Sequence, residues 1–224
     1  TALIRNLGTM SSNGLISNLS STEKMVMDKL SNSDWLRKSR IHPIYVLIAS
    51  KVYANGHGMR GSNSWNVNRR IVDALQEAFY ATFDNIEPTD EVYLLGVDIS
   101  GSMTMSGNVL GVEGLSAAEA AIALAMAINK QNERSLIMGF SHKFIDLGIT
   151  HKDRLDKTLQ RVYRMNFGAT DCSLPMRYAN EKKLDIDKFV VITDNECNTG
   201  PHASRELVKY RNERRKNSGM VVCA

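Results

Sequence analysis

Apolar residues in the first third of the chain recur at three- and four-residue intervals and are interrupted by polar stretches, the pattern of amphipathic helices. Ala2–Leu7 is a short amphipathic piece, followed by the turn-like Ser11-Ser12-Asn13-Gly14. Ser21-Thr22-Glu23 precedes Met25, Val26 and Leu30, and a Ser or Thr shortly before a Glu marks a helix start. His42-Pro43 opens another apolar stretch, because proline is tolerated in a first helical turn. Ile44, Leu47, Ile48, Lys51 and Val52 then share one face until Gly56-His57-Gly58, and Gly61-Ser62-Asn63-Ser64 reads as a loop. A third helix is predicted over Asn68–Phe83, with Ile71, Leu75, Ala78 and Phe79 inward. Helices with no intervening strand signal predict a helical hairpin array, although no clean internal repeat is visible.

The pattern changes near Glu87–Glu91. Val92–Asp98, Ser135–Phe140, Phe189–Thr193 and Met220–Cys223 are short apolar runs with strand character. They alternate with helical stretches at Leu115–Asn129, Arg154–Tyr163, Ser173–Lys183 and His202–Lys216. Such alternation predicts a parallel sheet covered on both faces, with the ligand site beyond the carboxyl ends of its strands.

Composition changes this picture little. The chain has 224 residues, 43% hydrophobic and 23% charged, which excludes a disordered or collagen-like chain. No apolar run is long enough for a membrane span and no signal peptide is visible. Cys172, Cys197 and Cys223 are odd in number, widely spaced and without a CxxC pattern. Neither a disulfide framework nor a zinc finger is therefore expected, and a reducing compartment is the simpler reading.

Charge matters through its distribution. The net charge of +4 is small, but no acidic residue lies between Asp34 and Asp73. That interval carries Arg37, Lys38, Arg40, Lys51, Arg60, Arg69 and Arg70 with His42 and His57. A basic stretch of this kind attracts polyanions; its competing reading is a solvated surface paired to acids elsewhere. Lys38, Arg40 and Arg60, with Arg5, are candidates to face the phosphates of such a polyanion, with His57 nearby. Trp65 is the best-placed aromatic for stacking, though a ring packed under its own loop is the commoner role. A second basic run, from Arg205 to Lys216, reads as a solvated helix face.

Candidate chemistry gathers after two strands. The first strand runs into Asp98-Ile99-Ser100-Gly101-Ser102, and Phe189–Thr193 runs into Asp194-Asn195-Glu196. Gly168-Ala169-Thr170-Asp171 precedes the Ser173 helix. These clusters offer carboxylate and hydroxyl oxygens without His or Cys, which suits a hard cation such as Mg²⁺. Gly101 is expected to permit a tight backbone between the two serines. Any one of these residues alone would read as a turn or cap. A phosphate loop and a G-x-S-x-G elbow are both absent, and Ser100 stands where a phosphoaspartate hydrolase needs a second carboxylate. An enzyme is not expected.

DISGSM, GATDCSLPM and FVVITDNE resemble the metal-ion-dependent adhesion site of a von Willebrand factor A domain. With LIRNLGTM, RIHPIYVLIA, GHGMRG and AFYATF, spread over nearly the whole chain, they resemble the Ro autoantigen family. The resemblance implies HEAT-like helical repeats of a TROVE module over residues 1–90, followed by a three-layer α/β A domain with a mostly parallel sheet over 91–224. It implies a non-catalytic, cytoplasmic clamp for noncoding RNA, with a nuclear fraction in a eukaryote. Y RNA or misfolded small RNA would be the ligand. It carries the metal motif onto Asp98, Ser100, Ser102, Thr170 and Asp194, with Mg²⁺ the expected cation and a protein carboxylate as partner. The family has further repeats before the segment matching Thr1 and further sheet after that matching Ala224. The chain is therefore expected to join the remainder of a longer polypeptide. The rival class is a cation-dependent adhesion module with no RNA role; a third is an inert domain with a vestigial metal site.

Overall fold

The structure is a computed structural model that describes residues 2–150, 152–165 and 168–224. It divides into two compact units, Thr1–Glu87 with Gly107–Leu115, and Pro88–Ser106 with Ser116–Ala224.

The first unit is helical: α1 (Ala2–Ser12), α2 (Ser21–Leu30), α3 (Ser33–Ser39), α4 (Pro43–Asn55) and α5 (Arg69–Ala81), which ends in a 3₁₀ turn over Thr82–Asn85. Local chemistry sets the boundaries. The hydroxyl of Ser20 accepts from the Glu23 amide to start α2, and the Glu23 carboxylate reaches back to accept from the Leu19 amide at 2.7 Å. His42 caps α4, Pro43 fills its first turn, and Gly56 ends it at φ +76°, a left-handed conformation that favours glycine. Asn68 caps α5, whose Ile71, Leu75, Ala78 and Phe79 are all buried as the spacing predicts. In α2, Val26 and Leu30 turn inward while Met25 is exposed.

One polar group is built into this core. Glu23 is 1% exposed and accepts from Asn68 Nδ2 at 2.7 Å and from Arg70 Nη1 at 3.1 Å. Burial is tolerable because every neighbour of the carboxylate is a donor. These bonds hold its pKa below the ordinary glutamate value, with the Asn68 amide the largest cause. They also tie α2 to the start of α5.

The second unit is α/β. Its elements are β1 (Tyr93–Asp98), α6 (Gly101–Met105), α7 (Ala117–Gln131), β2 (Leu136–Phe140), β3 (Phe144–Asp146), α8 (Leu155–Val162), α9 (Leu174–Glu181), β4 (Lys188–Ile192), α10 (Ala203–Arg214) and β5 (Gly219–Cys223). The sheet order is β3-β2-β1-β4-β5. All pairings are parallel except β2 with β3, a short antiparallel edge that the apolar pattern did not reveal. Helix α7 packs on β1 and β2 and carries α8, while α9 covers the sheet beside α10, giving three layers. Close packing fixes glycine at Gly96, where a Cβ would meet Pro175 of α9 at 2.8 Å.

The core around α9 and α10 includes Leu94, Met176, Ile186, Phe189, Leu207 and Tyr210. Tyr210 is fully buried; its hydroxyl donates to the Leu184 carbonyl and accepts from the Ile186 amide, both at 2.8 Å. The basic run on α10 is partly engaged: Arg211 donates to the Ser218 carbonyl, and Lys216 pairs with Asp185 and Asp187. Among the described residues no helix is long and apolar enough to cross a membrane.

Candidate functional site

Parallel strands bring the polar clusters to one edge. Val97 of β1 pairs with Ile192 of β4, so the next residues, Asp98 and Thr193, fall side by side at the carboxyl ends. Thr193 Oγ1 donates to Asp98 Oδ2 at 2.7 Å, and the Ser100 amide donates to Oδ1 at 2.9 Å. Ser100 precedes α6 in an extended conformation and Ser102 lies in its first turn; their hydroxyls share a hydrogen bond of 3.1 Å. Asp194 directly follows Thr193 and its Oδ1 accepts from the Glu196 amide. Glu196 itself is exposed.

Thr170 arrives from the loop before α9. That loop is anchored to the end of β2 by the Asp171 amide donating to the Ser141 carbonyl at 2.9 Å. The Thr170 amide donates to Asn198 Oδ1 at 2.8 Å, and the amides of Asn198 and Thr199 donate back to the Thr170 carbonyl. Asp171 is occupied in starting α9, accepting from Ser173 and pairing with Arg177 at 3.1 Å. Thr193, which the sequence marks only as the strand end before Asp194, and Asn198, which it does not mark, are thus supports of this edge. The strand register was the signal for Thr193; nothing local marked Asn198.

One expectation about this edge is corrected. Gly101 has ordinary helical backbone and open space where a Cβ would sit, so the turn does not require glycine. Met103 is buried beside the loop, but Met105 is 86% exposed and packs against nothing that would bury it.

The electrostatics of the edge fit a hard cation. Asp98 is fully buried, and among the described residues no basic side chain pairs with it. Burial raises its pKa above the ordinary aspartate value; the hydrogen bonds from Thr193 and Ser100 oppose this, and the negative charge of Asp194 adds to it. A buried carboxylate beside a second carboxylate and three hydroxyl-bearing residues is short of positive charge. Among the described residues no group of three or more His, Cys, Asp or Glu side chains could hold a metal. The donors at this edge are oxygen atoms, two carboxylates with hydroxyls, a set that suits Mg²⁺, which keeps several waters.

Cysteine placement departs from expectation. Cys172, 8% exposed, and Cys197, in the exposed loop after β4, form a disulfide with a Cα–Cα distance of 5.9 Å. Sequence spacing hid this because the pairing depends on the loop before α9 meeting the loop after β4. Cys223 is free, and burial pushes its thiol up from the ordinary value.

The helical unit holds the other candidate region. A groove of about 770 Å³ is lined by Ile4, Ile48, Val52 and Met59, with Arg5 and Arg60 among its walls and no acidic residue anywhere on it. Tyr45 projects beside it, 64% exposed. Lys38 and Arg40 are exposed but do not line this groove; Arg40 ends α3 at φ +49°. His57 lines a separate hollow and pairs with Glu113 at 3.2 Å. Arg70 of the same acid-free interval is tied to Glu23. The five candidates are therefore not one cluster: Arg5 and Arg60 come together and the other three do not join them. Trp65 takes the structural role. Its ring stacks on Tyr53 at 5.9 Å, its Nε1 donates to the Tyr53 carbonyl, and it lies so close over Gly8 that a Cβ there would be 2.5 Å from the ring.

An open, mostly parallel sheet in three layers, with aspartate, serine and threonine at its carboxyl edge, defines an α/β domain of the von Willebrand factor A class. The family model described as the Ro60 vWA domain matches residues 92–224, and that for the TROVE domain matches residues 1–52. The chain belongs to the Ro family. It is 40% identical over 224 residues to the RNA-binding protein RO60 of Deinococcus radiodurans, covering 99% of this chain and 42% of that protein. It is 39% identical over 216 residues to the RNA-binding protein RO60 of Caenorhabditis elegans, covering 94% of this chain and 32% of that protein. The crystal structure of the Deinococcus radiodurans RO (RSR) protein matches with a TM-score of 0.91 at 38% identity, over 99% of this chain and 45% of that one. The chain thus spans less than half the length of these relatives.

Proposed function

We propose that this chain serves in a noncoding-RNA-binding protein of a Ro-type ribonucleoprotein, acting as a non-catalytic clamp whose α/β unit holds a divalent cation. The observation that carries the RNA reading is the groove of the helical unit, where Arg5 and Arg60 flank an apolar floor free of carboxylates. Among the described residues neither arginine has an acidic partner. Both guanidinium groups are available to phosphate, for which arginine's planar donor fork is suited. Relatives along almost the whole chain are named RNA-binding proteins, which supports the same reading. The RNA class proposed is a structured noncoding RNA, Y RNA or a misfolded small RNA, with a single-stranded tail.

At the sheet edge, Asp98, Ser100, Ser102, Thr170 and Asp194 would hold Mg²⁺, directly or through water. Bound there, the cation supplies an open coordination position for a carboxylate of a protein partner. Thr193 and the Ser100 amide orient the Asp98 carboxylate, and Asn198 fixes the Thr170 loop, so the donors are held before any ligand arrives. The same edge favours a second reading, cation-dependent protein adhesion without RNA.

A gel-shift titration of the whole polypeptide separates the two. The probe is a structured RNA with a single-stranded 3′ tail, against the same RNA without it, at two salt concentrations. Tail-dependent binding that weakens with salt is the expected result. Absence of binding to both RNAs, or affinity indifferent to salt, overturns the RNA reading and leaves adhesion.

A further inference from the structure

We infer that Cys172 and Cys197 are a reversible thiol–disulfide site that clamps the loop following Asp194 onto the loop carrying Thr170. The geometry supplies the argument. Cys172 lies two residues after Thr170, and Cys197 three residues after Asp194. Their bond therefore joins the two separate loops that bring these side chains to the sheet edge. Around it the loops are already in register: Thr170 and Asn198 exchange backbone and side-chain hydrogen bonds, and Thr199 adds another. Gly200, at φ +78°, comes so close that a Cβ would lie 2.2 Å from the Asp171 carboxylate. The loop after β4 is otherwise exposed from Asn195 to Gly200, and short hydrogen bonds at an exposed edge open readily. A covalent tie at Cys197 restricts that opening.

The exposure of the two sulfurs differs in a way that suits exchange. Cys172 is nearly buried, while Cys197 stands in the exposed loop and can be reached by a small thiol or disulfide. Starting from the reduced pair, the Cys197 thiolate attacks a low-molecular-weight disulfide, RS–SR. The Cys197–SR bond forms and one RS⁻ leaves. The Cys172 thiolate then attacks the Cys197 sulfur and expels the second RS⁻. Two electrons pass from the cysteine pair to RS–SR, and the two cysteine protons end on the released thiols or in solvent. A low-molecular-weight thiol reverses both steps.

The effect on cation affinity rests on the proposed cation reading; the clamp itself does not. The test uses the full chain equilibrated in glutathione buffers of graded redox ratio. Free thiols are counted by alkylation and mass spectrometry, exchange of the Asn198 and Thr199 amides is followed, and Mn²⁺ binding is measured by calorimetry. Oxidised protein should retain one alkylatable thiol, that of Cys223. Reduction should expose all three cysteines, speed exchange at both amides, and weaken Mn²⁺ binding about tenfold, the scale of losing a support around a metal site. Three free thiols at every ratio, or amide exchange identical in the two states, overturns the proposal. If exchange responds while Mn²⁺ binds in neither state, the clamp stands and the cation reading fails. Cys197→Ser should behave as the reduced protein, and reduction of the unaltered chain gives the same answer if that variant does not fold.

Discussion

The sheet edge and the helical groove carry opposite kinds of polarity. At the edge, a fully buried carboxylate has no basic partner among the described residues, and its neighbours are hydroxyls and a second carboxylate. In the groove, two arginines border apolar side chains with no carboxylate among them. Burial makes the first arrangement costly without a cation, so it is informative about its ligand. Exposure makes the second cheap, because guanidinium groups remain hydrated until a polyanion arrives. The edge is therefore specific in geometry, whereas the groove is specific mainly in sign.

The sharpest way to break this contrast is Asp98→Ala. It should weaken Mg²⁺ binding at least about 100-fold by removing a carboxylate of the proposed ligand set, with circular dichroism unchanged; calorimetry with unaltered affinity would sink the edge assignment. The sign of the stability effect is also fixed. Because the folded pKa of Asp98 is raised, its contribution to stability is present when protonated and is lost as pH rises through that value. In cation-free buffer at neutral pH, Asp98→Asn should thus leave the melting temperature unchanged or raise it, whereas a fall would mean that the charged form is already satisfied.

Next in size is the floor of the helical unit. Gly8→Val drives side-chain atoms into the Trp65 ring and should cost about 1–3 kcal/mol, the usual range for overpacking. Urea unfolding followed by tryptophan fluorescence measures this, and an unaltered midpoint would show that Trp65 is not fixed there.

Smaller effects belong to the groove rim. Arg5→Gln and Arg60→Gln should each reduce the slope of log affinity against log salt by about 1, without changing preference among RNA sequences. Lys38→Gln, outside the groove lining, should change tail binding less; an equal effect would extend the interface across α3.

The smallest effect is confined to acid. Glu23 has a lowered pKa, so its stabilising contribution is present above the unfolded value and is lost as pH falls through the folded one. Glu23→Gln should flatten the acid side of the stability profile. An unchanged acid limb in a pH series of thermal melts would remove Glu23 from the account.

How much of this was legible depended on whether the cause was local. The helix start beside Glu23, the opening of α4 at His42-Pro43, the stop at Gly56 and the inward face of α5 follow from neighbouring residues and were legible, although the residue that caps α2 is Ser20, one before the Ser21 of the predicted start. The order of strands and helices was legible too, because each buried strand is an apolar run. Strand β3 escaped because two half-buried residues and an exposed aspartate make no apolar run.

By itself, then, the sequence determined the two kinds of structure, the residue types of the oxygen cluster, and the acid-free stretch that makes the helical unit basic. These are properties of short segments, set by periodicity, capping and charge. Tertiary structure decided which distant residues meet. It set Thr193 against Asp98 through parallel register, brought Cys197 to Cys172, fixed Trp65 over Gly8, and joined Arg5 to Arg60 while leaving Lys38 and Arg40 outside the groove. The physical reason is that each such meeting depends on how whole elements pack, and no local propensity encodes a distance between residues far apart in the chain.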